Sequence, residues 1–490
     1  MTPPSTSPGS ARRSERPALG GAISQYVLKV AARCDLACDH CYVYESADQT
    51  WRGRPHCIDA STVDAAARRI SEHADRHGLA RVRVVLHGGE PLLAGADRLR
   101  DIVDRLRGAL GDRLELSLQT NGVLLDERLC ALFVEQGVRV GVSLDGDATA
   151  HDRHRRRADG RGSHAEVRQA LALLRRPGFR AAYAGLLCTV DPANDPVAVY
   201  DALVAEEPPA IDFLLPHANW ERPPVRPGGE GVPYARWLLA VHRRWVETGR
   251  PVRIRLLESL RATIGGGTGD TEAVGLGPAA LVVIETDGAF EQVDALKTAF
   301  EGAPATGRSV FTDTVDDVAA HPQIAVRQIG LAGLCATCRA CAVVRHCGGG
   351  HFAHRYRDGH FDNPSVYCAD LKALIAGLLP RPPRPPGLDQ DLLDDLGTGH
   401  GSSATLARLT VVQDSIVRVY LAVLGPRADR DRSPRRPGRC CASSTARTRR
   451  RSGRCSPTRS CGPGPRPRVG PAGIWAGSRV SPPRPRCGPA

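Results

Sequence analysis

Between residues 24 and 265, short apolar runs alternate with amphipathic helical stretches, and this alternation constrains the fold more than any other feature. "YVLKVA" (26–31), "RVRVVLHG" (81–88), "RLELSLQTNG" (113–122), "VRVGVSLDG" (138–146), "RAAYAGLLCTV" (180–190) and "AIDFLLP" (210–216) predict six strands. "ASTVDAAARRISEHADRHG" (60–78) and "RLRDIVDRLRGALG" (98–111) carry the helical period between them. Strands joined through a helix are crossover-connected and therefore parallel. The expected class is α/β: a parallel sheet, or a partial (β/α)6 barrel, over residues 23–265. In such folds ligands meet the loops at the carboxyl ends of the strands.

The first such loop holds "CDLACDHC" (34–41), with Cys34, Cys38 and Cys41 at C-x3-C-x2-C spacing. Two chemistries suit three close thiols. One is a zinc site with His40 as fourth ligand, although structural zinc sites usually draw ligands from two separated knuckles. The other is a [4Fe–4S] cluster, whose irons each take a thiolate, so that three cysteines leave one iron open. A second group, Cys335, Cys338, Cys341, Cys347 and Cys368, contains C-x2-C spacings that are also common in zinc knuckles. Cys130 and Cys188 stand in apolar helix and strand patterns, where buried free thiols are expected.

Charge excludes one class of function. The net charge is +13, but 17 Arg and 2 Asp fall in 426–490, a surplus of +15 that leaves residues 1–425 at −2. A nearly neutral body removes the electrostatic case for nucleic acid. No N-terminal stretch has the layout of a signal peptide, and no apolar run approaches the roughly 20 residues that span a bilayer. With 16 cysteines in so large a chain, the expectation is a cytoplasmic metal or redox protein without membrane contact.

The ends differ in composition from the body. Residues 1–22 are rich in Ser, Pro, Arg and Gly and are expected to be disordered. "PRPPRPPG" (380–387) reads as a stiff linker, and 388–424 as the helical start of a further domain left incomplete, together 380–425. The Arg/Pro-rich tail, 426–490, has no hydrophobic period and cannot bury enough surface to fold. With 63 Arg against 3 Lys in the chain, the tail reads as out-of-frame translation of GC-rich DNA; an Arg-rich interaction arm is the other reading.

The order of motifs settles the cysteines. C-x3-C-x2-C followed by Tyr42 resembles the radical S-adenosylmethionine (SAM) superfamily, as do "HGGEPL" (87–92), "QTNG" (119–122), "SLDG" (143–146) and "HDRHR" (151–155) at successive strand ends. The resemblance implies that Cys34, Cys38 and Cys41 hold a [4Fe–4S] cluster. It assigns SAM binding to Gly88, Gly89, Glu90, Pro91, Asn121, Ser143, Asp145 and Arg155, with Glu90 facing the SAM ammonium and Arg155 its carboxylate. The Gly pair would let backbone approach the ligand closely. "CATCRACAVVRHCGGGHFAHRYRDGHFDNPSVYC" (335–368) resembles the SPASM extension of peptide-modifying members. His351 departs from that pattern by replacing a cysteine, and the hairpin expected at 277–300 carries none. The resemblance therefore implies one auxiliary [4Fe–4S] cluster on Cys338, Cys341, Cys347 and Cys368, with Cys335 an alternate or spare, in a small SPASM-like domain over 266–379.

Across 24–375 the chain is similar to FxsB-type radical SAM/SPASM maturases, on "DHCYVYESADQTWRGRP" (39–55), "LLPHANW" (214–220) and "VVIETDGAFEQVDALK" (282–297) among others. That group can carry a HExxH motif beyond the SPASM part; none occurs here. The similarity implies a ribosomally made precursor peptide as substrate and a one-electron reductant such as flavodoxin or ferredoxin. It also implies a 5′-deoxyadenosyl radical that abstracts hydrogen from a β-carbon, which then joins a nearby aromatic ring as a cyclophane. A base takes the ring proton, and the auxiliary cluster can take the surplus electron. Asp212 and His217, around the end of the last strand, are candidate bases by position. Thioether-forming and sulfatase-maturating SPASM enzymes, and a non-catalytic Fe–S or zinc protein, are the alternatives.

Overall fold

The computed structural model describes residues 22–229 and 231–380. The expectations for residues 1–21, for the linker and extension beyond Pro380, and for the tail at 426–490 lie outside the described residues. All six predicted strands form: β1 (Gln25–Ala31), β2 (Val82–Gly88), β3 (Leu114–Thr120), β4 (Arg139–Ser143), β5 (Tyr183–Thr189) and β6 (Ala210–Leu214). Each pairs in parallel with the next.

The crossovers follow from the helix patterns. Helix α1 (Ala60–His77) starts where the Asp59 carboxylate accepts the Thr62 N–H at 2.7 Å, and ends at Gly78 with φ +61°. It buries Val63, Ala66, Ala67, Ile70 and Ala74, and helix α2 (Ala96–Leu110) buries Leu99, Ile102, Val103, Leu106 and Leu110. These faces join one core with Tyr26, Leu28 and Val30 of β1, Val82, Val84 and Leu86 of β2, and Leu116 and Leu118 of β3. Cys130 and Cys188 belong to the same core as buried free thiols.

The sheet is longer than six strands. β7 (Arg253–Ile254) extends it beyond β6. On the other side β8 (Leu281–Ile284) adds in parallel to β1, followed by antiparallel β9 (Ala289–Glu291) and β10 (Ala305–Ser309). The order is β10-β9-β8-β1-β2-β3-β4-β5-β6-β7. The hairpin turns at Asp287-Gly288 as expected, with Gly288 at φ +81° and room for no Cβ, since one would meet Val310 Cγ2 at 2.8 Å. A boundary at 265/266 thus divides the sequence but not the sheet, because the edge of β1 is completed by residues from beyond it.

Buried charge fastens this junction. Lys29 of β1 reaches Asp294 at 2.5 Å. Lys297, only 1% exposed, faces Glu291 at 2.9 Å, Glu285 at 3.1 Å and Asp48 at 3.5 Å. The cysteine-rich segment is built of short helical turns and ends in the helix Cys368–Leu378. There Asp370 accepts the N–H groups of Tyr234 and Ala235 at 3.1 and 3.2 Å, which caps the helix Pro233–Glu247, and it pairs with Arg226 at 2.7 Å. No helix among the described residues is long and apolar enough to cross a membrane.

Candidate functional site

Loops from the carboxyl ends of β1 to β6 converge on one cavity of about 180 Å³. Cys34, Cys38, Cys41 and Tyr42 line it from the first loop, Gly88 and Gly89 from the second, and Asn121 from the third. Ser143, Arg155 and His217 complete the predicted residues in the lining. Glu90, Pro91, Asp145 and Asp212 are not part of it.

Glu90 is fully buried and holds the walls together instead of facing the cavity. Its carboxylate accepts the Leu92 N–H at 3.0 Å, the Thr120 hydroxyl at 2.6 Å and the Asn121 N–H at 2.7 Å. All three donors belong to the protein and form a bracket from the end of β2 to the end of β3. Burial pushes the Glu90 carboxyl up to about 8, against the opposing pull of these donors. Pro91 opens the short turn Pro91–Ala94 that Glu90 caps, and it shapes that turn.

The glycine pair also meets a steric demand within the chain. A Cβ on Gly88 would lie 2.1 Å from the Ala31 carbonyl oxygen, and one on Gly89 would lie 1.8 Å from Tyr44 Oη and 2.4 Å from the Arg33 carbonyl oxygen. The Gly89 and Glu90 N–H groups donate to the carbonyls of Ala31 and Arg33 at 2.9 and 2.8 Å. Glycine is needed because the cysteine loop lies directly on this backbone. The pair then forms cavity wall as well.

Asp145, 3% exposed, is likewise a support: it binds Arg155 through two hydrogen bonds and accepts the Thr189 N–H at 2.8 Å. Arg155 is thereby held with its guanidinium at the cavity. Ser143 accepts from Gln119 Nε2 at 3.0 Å. Asp35 is more than a loop residue, since Asn121 Nδ2 donates to it at 2.8 Å and to Cys34 Sγ at 3.7 Å. Asp39 in turn lies 2.8 Å from His154. Neither partnership has a local signature.

The donor set fits a thiolate-bound cluster. Burial raises all three thiols, Cys38 to about 11, while N–H donors from Leu36 to Cys34 and from Val43 and Tyr44 to Cys41 partly offset it. Buried thiols that stay protonated alone, yet sit on one wall with donors aimed at sulfur, are deprotonated by coordinating a metal. Cys338, Cys341, Cys347 and Cys368 line a second, smaller cavity of about 20 Å³, where burial raises Cys338 to about 12 and Cys347 to about 11. Cys335 is outside that lining and packs with Leu334, Cys338 and Val344.

The two candidate bases separate. Asp212 is ion-paired with Arg255, whose Nε donates at 2.8 Å, and lines a neighbouring apolar cavity of about 50 Å³. Asp212 is thus a paired carboxylate outside the lining of the cysteine cavity. His217 borders both cavities and meets the Tyr42 ring edge-on at 4.7 Å. Burial lowers its pKa to about 4, leaving it neutral at pH 7. His351 lies beside His217 and His354 in the apolar cavity rather than in the lining of the second cysteine cavity.

Residues 28–195 match the family model described as the Radical SAM superfamily. The serine-type anaerobic sulfatase-maturating enzyme of Bacteroides thetaiotaomicron is 31% identical over 153 residues, 31% of this chain and 36% of that protein. The cysteine-type enzyme of Clostridium perfringens is 23% identical over 281 residues, 56% of this chain and 74% of that protein. Over the first three curated relatives the match spans only 36 to 41% of their length. A solved structure described as "Native anSMEcpe with bound AdoMet" superposes with a TM-score of 0.63 at 20% identity, covering 72% of this chain and 96% of that one, which shows a shared fold. The superfamily's cofactors are SAM and a [4Fe–4S] cluster. Residues 28–195 thus carry the radical SAM superfamily's pattern, and over that region the chain is similar to the anaerobic sulfatase-maturating enzymes.

Proposed function

We propose that this protein modifies a ribosomally made precursor peptide, joining an aromatic ring carbon to the β-carbon of a nearby residue. The observation that carries the reading is the single cavity in which three cysteines, the Asp145-anchored Arg155 and the Tyr42–His217 pair face one another. A [4Fe–4S] cluster with bound SAM supplies hydrogen-atom abstraction from an unactivated carbon. Cys34, Cys38 and Cys41 would hold that cluster, and Arg155 would receive the SAM carboxylate. Gly88 and Gly89 close the wall with backbone and leave no side chain in the way. Tyr42 and His217, in the same lining, would orient the peptide and exclude water. With Nδ1 of a metal-free His217 turned to His354 at 3.4 Å, Nε2 is the atom that would take the ring proton. Cys338, Cys341, Cys347 and Cys368 would hold the auxiliary cluster. The cyclophane assignment draws on the FxsB-like stretches at 39–55, 214–220 and 282–297.

The sulfatase-maturating homologues favour a second reading, oxidation of a side chain to an aldehyde. Mass spectrometry of the precursor peptide encoded beside the gene separates them. A cross-link removes two hydrogens, resists a hydrazide probe, and suppresses fragmentation between the joined residues. A product that loses two hydrogens and captures the hydrazide would overturn the cyclophane reading.

A further inference from the structure

Three imidazoles from distant parts of the chain meet in the apolar cavity, and His217 also borders the cysteine cavity. His217 follows β6, while His351 and His354 stand three residues apart at the turn Phe352–Arg355. One ring nitrogen of each lies within 4.8 Å of the other two. The His217 Nδ1 to His354 Nε2 separation is 3.4 Å. That is long for a hydrogen bond, and close to the ~3.3–3.4 Å between nitrogens that each sit ~2.0–2.1 Å from one tetrahedral zinc ion. His351 Nδ1 is buried and has no hydrogen-bond partner among the described residues. Leaving such a nitrogen unsatisfied is costly, and a cation bound at it would remove that cost.

The surroundings hold the rings in place. The Arg355 guanidinium donates to the carbonyls of Gly348, Gly349 and Gly350 at 2.8, 3.1 and 2.8 Å, fixing the turn that presents His351. A Cβ on Gly348, at φ +62°, would lie 1.6 Å from the Gly275 carbonyl oxygen, so this turn is seated against a second segment. From the other side the Tyr367 hydroxyl donates to the carbonyl of Pro216 at 2.8 Å, immediately before His217. A casual packing of three rings needs none of this. Three imidazoles without a thiolate suit a borderline late first-row cation, and an oxygen-preferring Mg²⁺ or Ca²⁺ poorly.

We infer that His217, His351 and His354 bind one mononuclear divalent cation of the zinc class, with its fourth position left for an oxygen donor. The site goes beyond the cross-linking reading and does not rest on it. It bears on one part of that reading: a cation on Nδ1 leaves His217 Nε2 carrying the ring's hydrogen, so a metal-bound His217 is not the proton acceptor.

The test uses the full chain with its clusters reconstituted anaerobically, washed with chelator and titrated with Zn²⁺. About one zinc per chain should bind beyond the iron, with zinc-edge X-ray absorption showing only N/O neighbours near ~2.0–2.1 Å. His351→Ala and, separately, His217→Phe should weaken zinc binding by more than the ~100-fold that a lost outer-shell contact costs, with iron content unchanged. Cys341→Ala should leave the zinc in place. No zinc bound at equimolar addition, a sulfur neighbour near ~2.3 Å, or zinc retained in both histidine variants overturns the proposal. The X-ray absorption of the unmutated protein decides the matter even where a variant fails to fold.

Discussion

Arg155 is clamped by Asp145: Nε donates to Oδ2 at 2.6 Å and Nη2 to Oδ1 at 3.2 Å, with the carboxylate buried behind the guanidinium. Two charge-assisted bonds of fixed geometry point the remaining N–H groups into the cavity.

Asp145→Asn keeps the shape but removes the charge and one acceptor position. It should raise the dissociation constant for SAM about tenfold, equivalent to ~1.4 kcal/mol, with turnover at saturating SAM changed less than about threefold. Equilibrium binding and SAM-dependent kinetics measure both quantities. A fall in turnover with unchanged SAM affinity would show that Asp145 does not act through Arg155.

Glu90 offers a pH signature. Burial pushes its carboxyl up to about 8 from an ordinary 4.5. The folded state therefore holds the proton more tightly than the unfolded chain between those values. Stability from this group is present below about pH 4.5, declines by up to ~1.4 kcal/mol per pH unit as pH rises towards 8, and levels off above. Denaturation midpoints of the protein and of Glu90→Gln across pH 5 to 9 check this. The difference between their slopes should vanish above pH 8, and parallel curves throughout would show that Glu90 is ionised across the range.

What could be read in advance was what repeats or sits close in sequence. Apolar runs such as "VRVGV" announce strands because buried parallel strands need little else. The three cysteines are local as well. That Glu90 brackets two strand ends was not legible, because its partners, Thr120 and the Asn121 N–H, are about 30 residues away and carry no pattern. Asp212 looked available because Arg255 lies 43 residues downstream, at the start of a helix. The pairing of β8 with β1 joins Leu281 to Gln25, a distance across the sequence that no periodicity encodes. "HFAH" (351–354) was visible as two histidines at i, i+3; that His217 meets them required the fold.

The second cysteine group allows a count. Cys335 is outside the cavity that Cys338, Cys341, Cys347 and Cys368 line. Reconstituted protein should hold about eight iron atoms. Cys335→Ala should keep about eight, and Cys341→Ala should fall to about four while SAM cleavage persists. Loss of about four iron atoms in Cys335→Ala would exchange the two roles.

Lys297 faces three buried carboxylates, of which Glu291 is also paired with Arg54 at 2.8 Å. Its loss in Lys297→Met leaves Asp48 and Glu285 without their cation and Glu291 with Arg54 alone, and uncompensated buried charge of this kind costs about 3–5 kcal/mol. Burial already raises Glu291 to about 7, so without Lys297 the cluster has an outlet in taking up protons. Protonation stabilises the folded variant at low pH, so its deficit should be largest at pH 8 and shrink towards pH 5. Adding Glu291→Gln should recover part of the loss at pH 8 and little at pH 5. Guanidinium denaturation of the three proteins at both pH values measures this, and a deficit independent of pH would mean that packing of the lysine stem, rather than charge, holds β8 and β9 to the cysteine loop.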